Sequence, residues 1–404
     1  MPRPRIAILH QGCVPTYRRA FYERLGAIAE RDYIVFHGQA EPGSGIVAAV
    51  PPLGFENVEL RNRFWRVLGR TLVYQPVFLR IASGGFDALV IGHEVKYLAN
   101  IALALFFRAR GRPVLLWGFG KNLDIEKEGR SRLGRWVGRV VQSAQSWMLQ
   151  AATDFLAYTR RGADHAVRSG MAHDRVTVLN NTIDISSEVA AHSRAQSLDR
   201  AELRRDFGLS AEAIVFLFVG RLNEPKRVDA LIEAARELRQ QQPIVIEVLV
   251  VGSGPAESQL KTLGGGEAWC RFLGQVQESD ALGRIFRASD AVVIPGYVGL
   301  AVNHAFAHGL PVITCHSELH SPEIEYIEDQ VNGLILPSLD ELGSGLMRFA
   351  ASSELRRDLA AGALRSREKL DLRCMVEAFD RGVRNALCRS AAGSQSDGRV
   401  LERR

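Results

Sequence analysis

Short runs of apolar, β-branched residues recur along the whole chain, and stretches of helical period separate them. In the first half these runs are residues 5–9, 33–36, 88–91, 114–117, 155–158 and 176–179. In the second they are 214–219, 246–251, 270–273, 291–294 and 312–314. Amphipathic helical patterns such as 17–30, 228–241 and 282–288 lie between them. Continuous apolar strands alternating with helices predict parallel sheets covered on both faces. A chain of 404 residues is too long for one such core. The expectation is α/β: two doubly wound Rossmann-like domains. Residues 184–211 are polar and strandless, which places the interdomain connection there and sets the domains at 1–183 and 184–372. A helix at about 373–390 is expected to return to the first domain. The Ala-Ala-Gly-Ser-Gln-Ser-Asp-Gly run after Ser390 predicts a disordered tail over 391–404.

Several classes drop out. No apolar run approaches the roughly 20 residues that span a bilayer; the longest, 97–107, stops at Arg108. The N-terminus enters its first strand without the apolar core of a signal peptide. Five scattered cysteines without a CxxC pair exclude a disulfide scaffold and a cysteine-rich zinc site, and point to a reducing cytoplasm.

Charge is distributed unevenly. Residues 1–183 hold 25 Lys+Arg against 14 Asp+Glu, a net +11, while the remainder holds 26 against 31, a net −5. The basic half calls for an anionic partner. Residues 61–86 carry Arg61, Arg63, Arg66, Arg70 and Arg80 among Phe64, Trp65, Leu68, Leu72 and Tyr74, without an acid. Residues 130–153 carry Arg130, Arg132, Arg135 and Arg139 with Trp136, Val140 and Trp147, again without one. At helical spacing these read as helices lying on an anionic membrane surface; a solvated helix face is the plainer reading of either stretch alone. No nucleic-acid recognition motif is present.

The densest motif is Phe218-Val-Gly-Arg-Leu-Asn-Glu-Pro-Lys-Arg-Val228. A strand ends at Val219, Gly220 turns the chain, and Arg221 and Lys226 precede a helix. In an open parallel sheet ligands bind beyond the carboxyl ends of the strands, and two cations there suit a pyrophosphate. Lysine is scarce, six of 51 basic residues, yet one stands in this turn. Further on, Ile294-Pro-Gly-Tyr-Val-Gly-Leu300 leads from a strand into a helix carrying His304. Gly299 there allows backbone N–H groups to approach an anion. Pro322-Glu323-Ile324 through Asn332-Gly333-Leu334 forms a turn–helix–turn before the next strand.

Four ordered segments now resemble the donor domain of retaining GT-B glycosyltransferases, the large family numbered four: Gly220-Arg221…Lys226, Gly252-Ser-Gly-Pro255, Gly299-Leu300…His304…Gly309-Leu-Pro-Val-Ile313, and Pro322-Glu-Ile…Asn332-Gly-Leu334. The N-terminal half resembles the family only loosely. The resemblance implies two domains facing a central cleft and transfer of a sugar from a nucleotide-sugar to an acceptor with retained configuration. Arg221 and Lys226 would stabilise the leaving diphosphate, with Gly220, Gly252, Gly254, Gly299, Leu300, His304 and Glu323 around the donor. Two departures stand out. The family's paired glutamates fall on Gly296 and His304, and Phe119 stands where several relatives place a histidine. His304 would take the second glutamate's place on the nucleotide ribose.

On the acceptor side, His10, Tyr17, Arg18, His93 and Lys121 follow strand ends in the basic half, although a buried structural histidine fits His10 equally. No metal and no cofactor are expected, because two cations already neutralise a diphosphate. His316 and His320 are four apart but lack a third ligand. The expected partners are a nucleotide-sugar and a lipid-linked or polysaccharide acceptor of cell-surface glycan assembly, at the cytoplasmic face of an anionic membrane. The competing readings are a GT-B epimerase, which releases no nucleoside diphosphate, and a non-catalytic nucleotide-sugar binder. A dinucleotide-binding enzyme is disfavoured, since Gly252-Ser-Gly254 and Gly118-Phe-Gly120 lack the third glycine.

Overall fold

A computed structural model describes residues 2–401 apart from 11, 43–45, 68–69, 120–131, 265 and 318–319, and only the backbone of 132–135, 137 and 393–401. It divides into unit 1, residues 1–183 with 372–404, and unit 2, residues 184–371.

In unit 1 the apolar runs form β1 (Arg5–His10), β2 (Asp32–His37), β3 (Asn57–Glu59), β4 (Arg63–Val67), β5 (Arg70–Tyr74), β6 (Ala88–Gly92), β7 (Val114–Gly118), β8 (Asp154–Ala157) and β9 (Val176–Val178). Seven of them make one parallel sheet in the order β3-β2-β1-β6-β7-β8-β9. Ile6, Ala7, Ile8, Leu89 and Val90 are fully buried, because side chains of both parities meet a covered face. On one face the helix Leu372–Leu401 supplies part of the cover: Phe379 packs edge-on against Phe21 and Trp117, at 5.4 and 5.2 Å between ring centroids. Asp380 of that helix accepts from Arg31 Nε and Nη2 at 2.6 Å each, and from the Tyr33 hydroxyl at 2.6 Å.

Unit 2 contains β10 (Ile214–Val219), β11 (Ile246–Val251), β12 (Cys270–Gly274), β13 (Ala291–Val293), β14 (Val312–Cys315) and β15 (Gly333–Leu336), all parallel, in the order β12-β11-β10-β13-β14-β15. Every residue of β11 is buried, Glu247 among them, whose carboxylate accepts from the Ser210 N–H at 3.0 Å. Asp290, just before β13, accepts from Arg200, Arg204 and the Val215 N–H, tying the helix Arg200–Asp206 to the sheet.

Three expectations are corrected. Residues 184–211 are not a bare connection: they hold the helices Ser186–Ala195 and Arg200–Asp206, both in unit 2. Within the stretch 61–86, Arg63–Val67 and Arg70–Tyr74 pair as the antiparallel strands β4 and β5 rather than lying on a helix, and only Phe78–Ser83 is helical. Val73 is buried and its N–H bonds to the Lys96 carbonyl, so contact with the rest of the unit selects the strand. The last helix runs to Leu401, through most of the segment expected to be disordered; no proline interrupts it, although Gly393 and Gly398 lie within it. The second basic stretch is helical as its period predicts, over Arg132–Ala151, with Trp136, Val140 and Trp147 exposed; Arg130 lies outside the described residues.

Candidate functional site

β10 and β13 are neighbours, yet the chain leaves β10 toward β11 and β13 toward β14. The loops after them therefore diverge, and at such a switch point an open parallel sheet offers a crevice at its carboxyl edge. Both motif-bearing loops fall there.

The turn after β10 is held by close backbone contact. Gly220 has φ 147° and Gly252, at the end of β11, has φ 134°. A Cβ on Gly252 would lie 1.9 Å from the Gly220 carbonyl oxygen, and one on Gly254 would lie 2.3 Å from that of Leu222. The N–H of Leu222 bonds to Ser253 O at 2.9 Å, and that of Ala256 to Leu222 O at 3.0 Å. These glycines thus let two adjacent loops interlock. Arg221 leaves this turn as an exposed side chain.

Lys226 ends a short 3-10 turn, Glu224–Lys226, and Arg227 follows in the left-handed region at φ 53° before the helix Val228–Gln241. The turn is stitched to the loop after β13 by Tyr297 N–H to Pro225 O at 2.7 Å and Gly296 N–H to Lys226 O at 3.1 Å. Lys226 Nζ donates to Tyr297 O at 2.6 Å and lies 5.1 Å from the centre of the Tyr297 ring. A Cβ on Gly299 would be 3.5 Å from that Nζ and 3.8 Å from Ser321 Oγ. Ser321 Oγ donates to Val298 O at 2.7 Å and also contacts the Glu323 carboxylate, which is buried. Burial pushes the Lys226 ammonium down to about 8, against the opposing pull of Glu323. Among the described residues no carboxylate reaches ion-pair distance of this ammonium. The structure thus brings together Lys226, Gly299, Ser321 and Glu323.

His320 holds the same loop. Its Nδ1 accepts from the Val298 N–H at 3.1 Å and its Nε2 donates to Cys315 O at 2.8 Å, so both nitrogens serve the loop. Leu300 precedes the helix Ala301–Ala307, where the N–H groups of Val302 and Asn303 donate back to Gly299 O and Leu300 O at 3.1 and 3.0 Å. One turn on, His304 Nδ1 lies 2.8 Å from both oxygens of Glu188, on the helix Ser186–Ala195. An ionised carboxylate only accepts, so Nδ1 carries the proton toward Glu188 and Nε2 is the ring nitrogen on the opposite side. Behind it His308 stacks on Phe286, 4.2 Å between centroids at 17°. Burial lowers His308 to about 3, so its 3.7 Å approach to Glu188 is made by a neutral ring and is not an ion pair.

Glu188 is the site residue that sequence reasoning missed. It lies 116 positions before His304, and no local pattern marks it. At the position of the family's first glutamate, a Cβ on Gly296 would lie 2.1 Å from the Pro225 carbonyl oxygen, so the loop pairing occupies that place.

In unit 1 the switch point lies between β1 and β6, and His10 and His93 stand at the ends of those strands. Both turn to internal roles. His10 Nδ1 meets the Tyr22 hydroxyl at 2.8 Å, and burial, then the Arg18 charge, lowers it to about 3. His93 Nε2 donates to Gln145 O at 3.1 Å, and burial lowers its pKa. Arg18 is buried and donates to Asn181 Oδ1 at 2.7 Å and Thr182 O at 3.4 Å, which makes it a strut rather than a phosphate clamp. Tyr17 is exposed. Lys121 lies outside the described residues. Among the described residues, no group of three His, Cys, Asp or Glu side chains is placed to hold a metal ion, and no helix is long and apolar enough to cross a membrane.

Residues 213–351 match the family described as glycosyl transferases group 1. The D-inositol 3-phosphate glycosyltransferase of Salinispora arenicola is 34% identical over 211 residues, 47% of this chain and 45% of that protein. Its namesake from Rhodococcus jostii is 37% identical over 149 residues, 34% of this chain and 32% of its own. The chain thus spans less than half the length of either relative. Among solved structures, Anabaena HepE in complex with UDP and glucose aligns over 94% of this chain and 99% of its own, at TM-score 0.62 and 16% identity. WaaG, a glycosyltransferase involved in lipopolysaccharide biosynthesis, aligns over 92% and 97%, at TM-score 0.64 and 17% identity. The chain therefore has the α/β fold of the GT-B glycosyltransferases, and within it the strands and loops of unit 2 carry the group 1 likeness.

Proposed function

We propose that this chain is a glycosyltransferase that takes a sugar from a nucleotide-sugar and passes it to an acceptor hydroxyl with retained configuration. The observation that carries the reading is the Lys226 ammonium, half-buried at the switch point of unit 2, donating to Tyr297 O and set beside Gly299. A partly desolvated cation beyond ion-pair distance of a carboxylate is better satisfied when an anion joins it. In the reaction the anomeric C–O bond to the β-phosphate breaks, a bond to the acceptor oxygen forms, and the proton of the acceptor hydroxyl passes to the leaving diphosphate oxygen. Negative charge grows on the β-phosphate, and preorganised donors there lower the barrier. Lys226 and Arg221 counter it with positive charge, with backbone N–H groups at Gly299 and Leu300, so the proposal needs no metal. His304, set by Glu188, offers Nε2 to hydroxyls of the donor nucleotide.

The Anabaena neighbour, solved with UDP and glucose, supports a nucleotide-sugar donor, and the names of the sequence relatives support an anionic acceptor. The net +11 of residues 1–183 suits a lipid-linked, phosphate-bearing acceptor of cell-surface glycan synthesis, met at the cytoplasmic face of an anionic membrane. A thermal-shift screen against UDP-, GDP-, ADP- and TDP-sugars tests the donor, since ligand binding raises the melting point by mass action. Release of nucleoside diphosphate is then measured with and without crude lipid acceptor. Full release only with acceptor is the expected result. No release overturns the transferase in favour of an epimerase or a binder.

A further inference from the structure

We propose that the β4–β5 hairpin is the element that lies on the anionic lipid surface; this rests on the reading above that the chain works at a membrane, and names the face that does so. The hairpin stands apart from the seven-stranded sheet as its own two-stranded ribbon. Its register pairs Arg63 with Tyr74, Trp65 with Leu72 and Val67 with Arg70. Side chains alternate along a strand, so these six share one face, while Phe64, Arg66, Thr71 and Val73 share the other. The second face is the more covered one on β5, where Val73 is buried and its N–H bonds to Lys96 O at 2.8 Å; Phe64 and Thr71 are half-buried, and Arg66 is exposed. The first faces solvent, with Trp65 45%, Val67 48% and Tyr74 38% exposed, and the Trp65 and Tyr74 rings stacked 6.2 Å apart.

Two aromatic rings and a valine gathered on one exposed face are costly in water and mark a contact surface. What they contact follows from the charge. Arg61 and Arg63 are exposed beside them, Arg70 shares their face, and residues 61–86 contain no acid. Tyrosine and tryptophan favour the headgroup level of a bilayer, where an apolar ring and a polar edge are both satisfied. Arginines beside them are drawn to anionic headgroups. Strands of five residues cannot span a membrane, so the contact is one of lying on the surface. The aliphatic Val67 and Leu72 on the same face favour lipid over single-stranded nucleic acid, which is gripped by aromatic platforms beside a basic groove.

The test uses the full chain and vesicles of phosphatidylcholine with or without phosphatidylglycerol, read by co-sedimentation and by quenching of tryptophan fluorescence with brominated lipid. The expected result is binding to anionic vesicles that weakens with salt. Trp65→Ser/Tyr74→Ser abolishes binding, and Trp65→Phe keeps it while losing most of the quenching. Arg63→Gln/Arg70→Gln weakens binding by roughly thirtyfold, the scale of two cations near an anionic surface, and Arg63→Lys/Arg70→Lys restores it. Unchanged nucleoside-diphosphate binding in unit 2 and an unchanged circular-dichroism spectrum show that each variant is folded. No vesicle binding by the unaltered chain overturns the membrane reading altogether. Full binding by the serine and glutamine variants overturns the hairpin assignment alone. Tighter binding to a single-stranded oligonucleotide than to anionic vesicles overturns lipid as the partner.

Discussion

A single lysine carries most of the chemistry attributed to unit 2, and its protonation gives a direct check. Burial holds Lys226 at about 8 in the unliganded fold, below the ordinary lysine value of 10.5. A folded-state value below the unfolded one means that the charged form is disfavoured in the fold. That cost is present in full below pH 8 and lifts as the pH rises from 8 toward 10.5. A bound diphosphate pulls the proton back, so binding above pH 8 takes up a proton. Nucleoside-diphosphate affinity is therefore expected to fall by up to about tenfold per pH unit above 8. Lys226→Arg flattens the profile, because a guanidinium does not titrate there. Lys226→Ala stays folded and loses roughly a hundredfold or more in turnover. Calorimetry in buffers of different ionisation enthalpy reads the proton uptake, and a flat wild-type profile would remove Lys226 from the diphosphate. Beside it, Glu188 acts through His304 and is a positioning residue. Glu188→Ala is expected to raise the donor KM by about tenfold with kcat nearly unchanged, the loss of one charge-assisted hydrogen bond; Glu188→Asp recovers part of it. A fall in kcat at constant KM would place His304 away from the bound donor.

At the scale of elements, the loops after β10 and β13 behave as one interlocked piece. Gly296 has no room for a side chain, because its Cβ would also lie 2.9 Å from Arg227 Cγ. Restoring the family's carboxylate with Gly296→Glu is therefore expected to lower stability by roughly 2–4 kcal/mol, as overpacking against backbone does. It also weakens donor binding, because it displaces the turn that aims Lys226. Chemical denaturation and UDP titration check both, and a Gly296→Glu protein of native stability and higher activity would show that the loops yield. The strands were legible because β10 is an unbroken apolar run and β1 and β11 are nearly so, β11 broken only by Glu247 and β1 bounded by Arg5 and His10. The ribbon β4–β5 was not. Arginines at 61, 63, 66 and 70 fit a helical spacing as well as a strand, and what decides is Val73 docking beside Lys96, a contact 23 residues away in sequence. The Glu188–His304 pair was illegible for the same reason: it exists only once two helices of unit 2 have packed.

For the molecule as a whole, the return of the C-terminal helix to unit 1 means that unit 1 is built from both ends of the chain, while unit 2 is one continuous segment. The C-terminal helix shares in closing the face of unit 1 that carries Phe21 and Trp117. Asp380 is the polar anchor of that closure, its carboxylate gripped by Arg31 and the Tyr33 hydroxyl. The pair is largely buried, with side-chain exposures of 12% and 13%. Removing one partner of such a pair leaves the other's charge without an acceptor, at a cost of about 3 kcal/mol or more. Asp380→Ala is thus expected to destabilise unit 1 and spare unit 2. Amide hydrogen exchange read by mass spectrometry separates the two: β1, β2 and β7 lose protection, while β10, β11 and β13 keep theirs. Two units that unfold independently give that split, since each keeps its own core. Equal loss in both sets of strands would mean that the chain opens as one cooperative body.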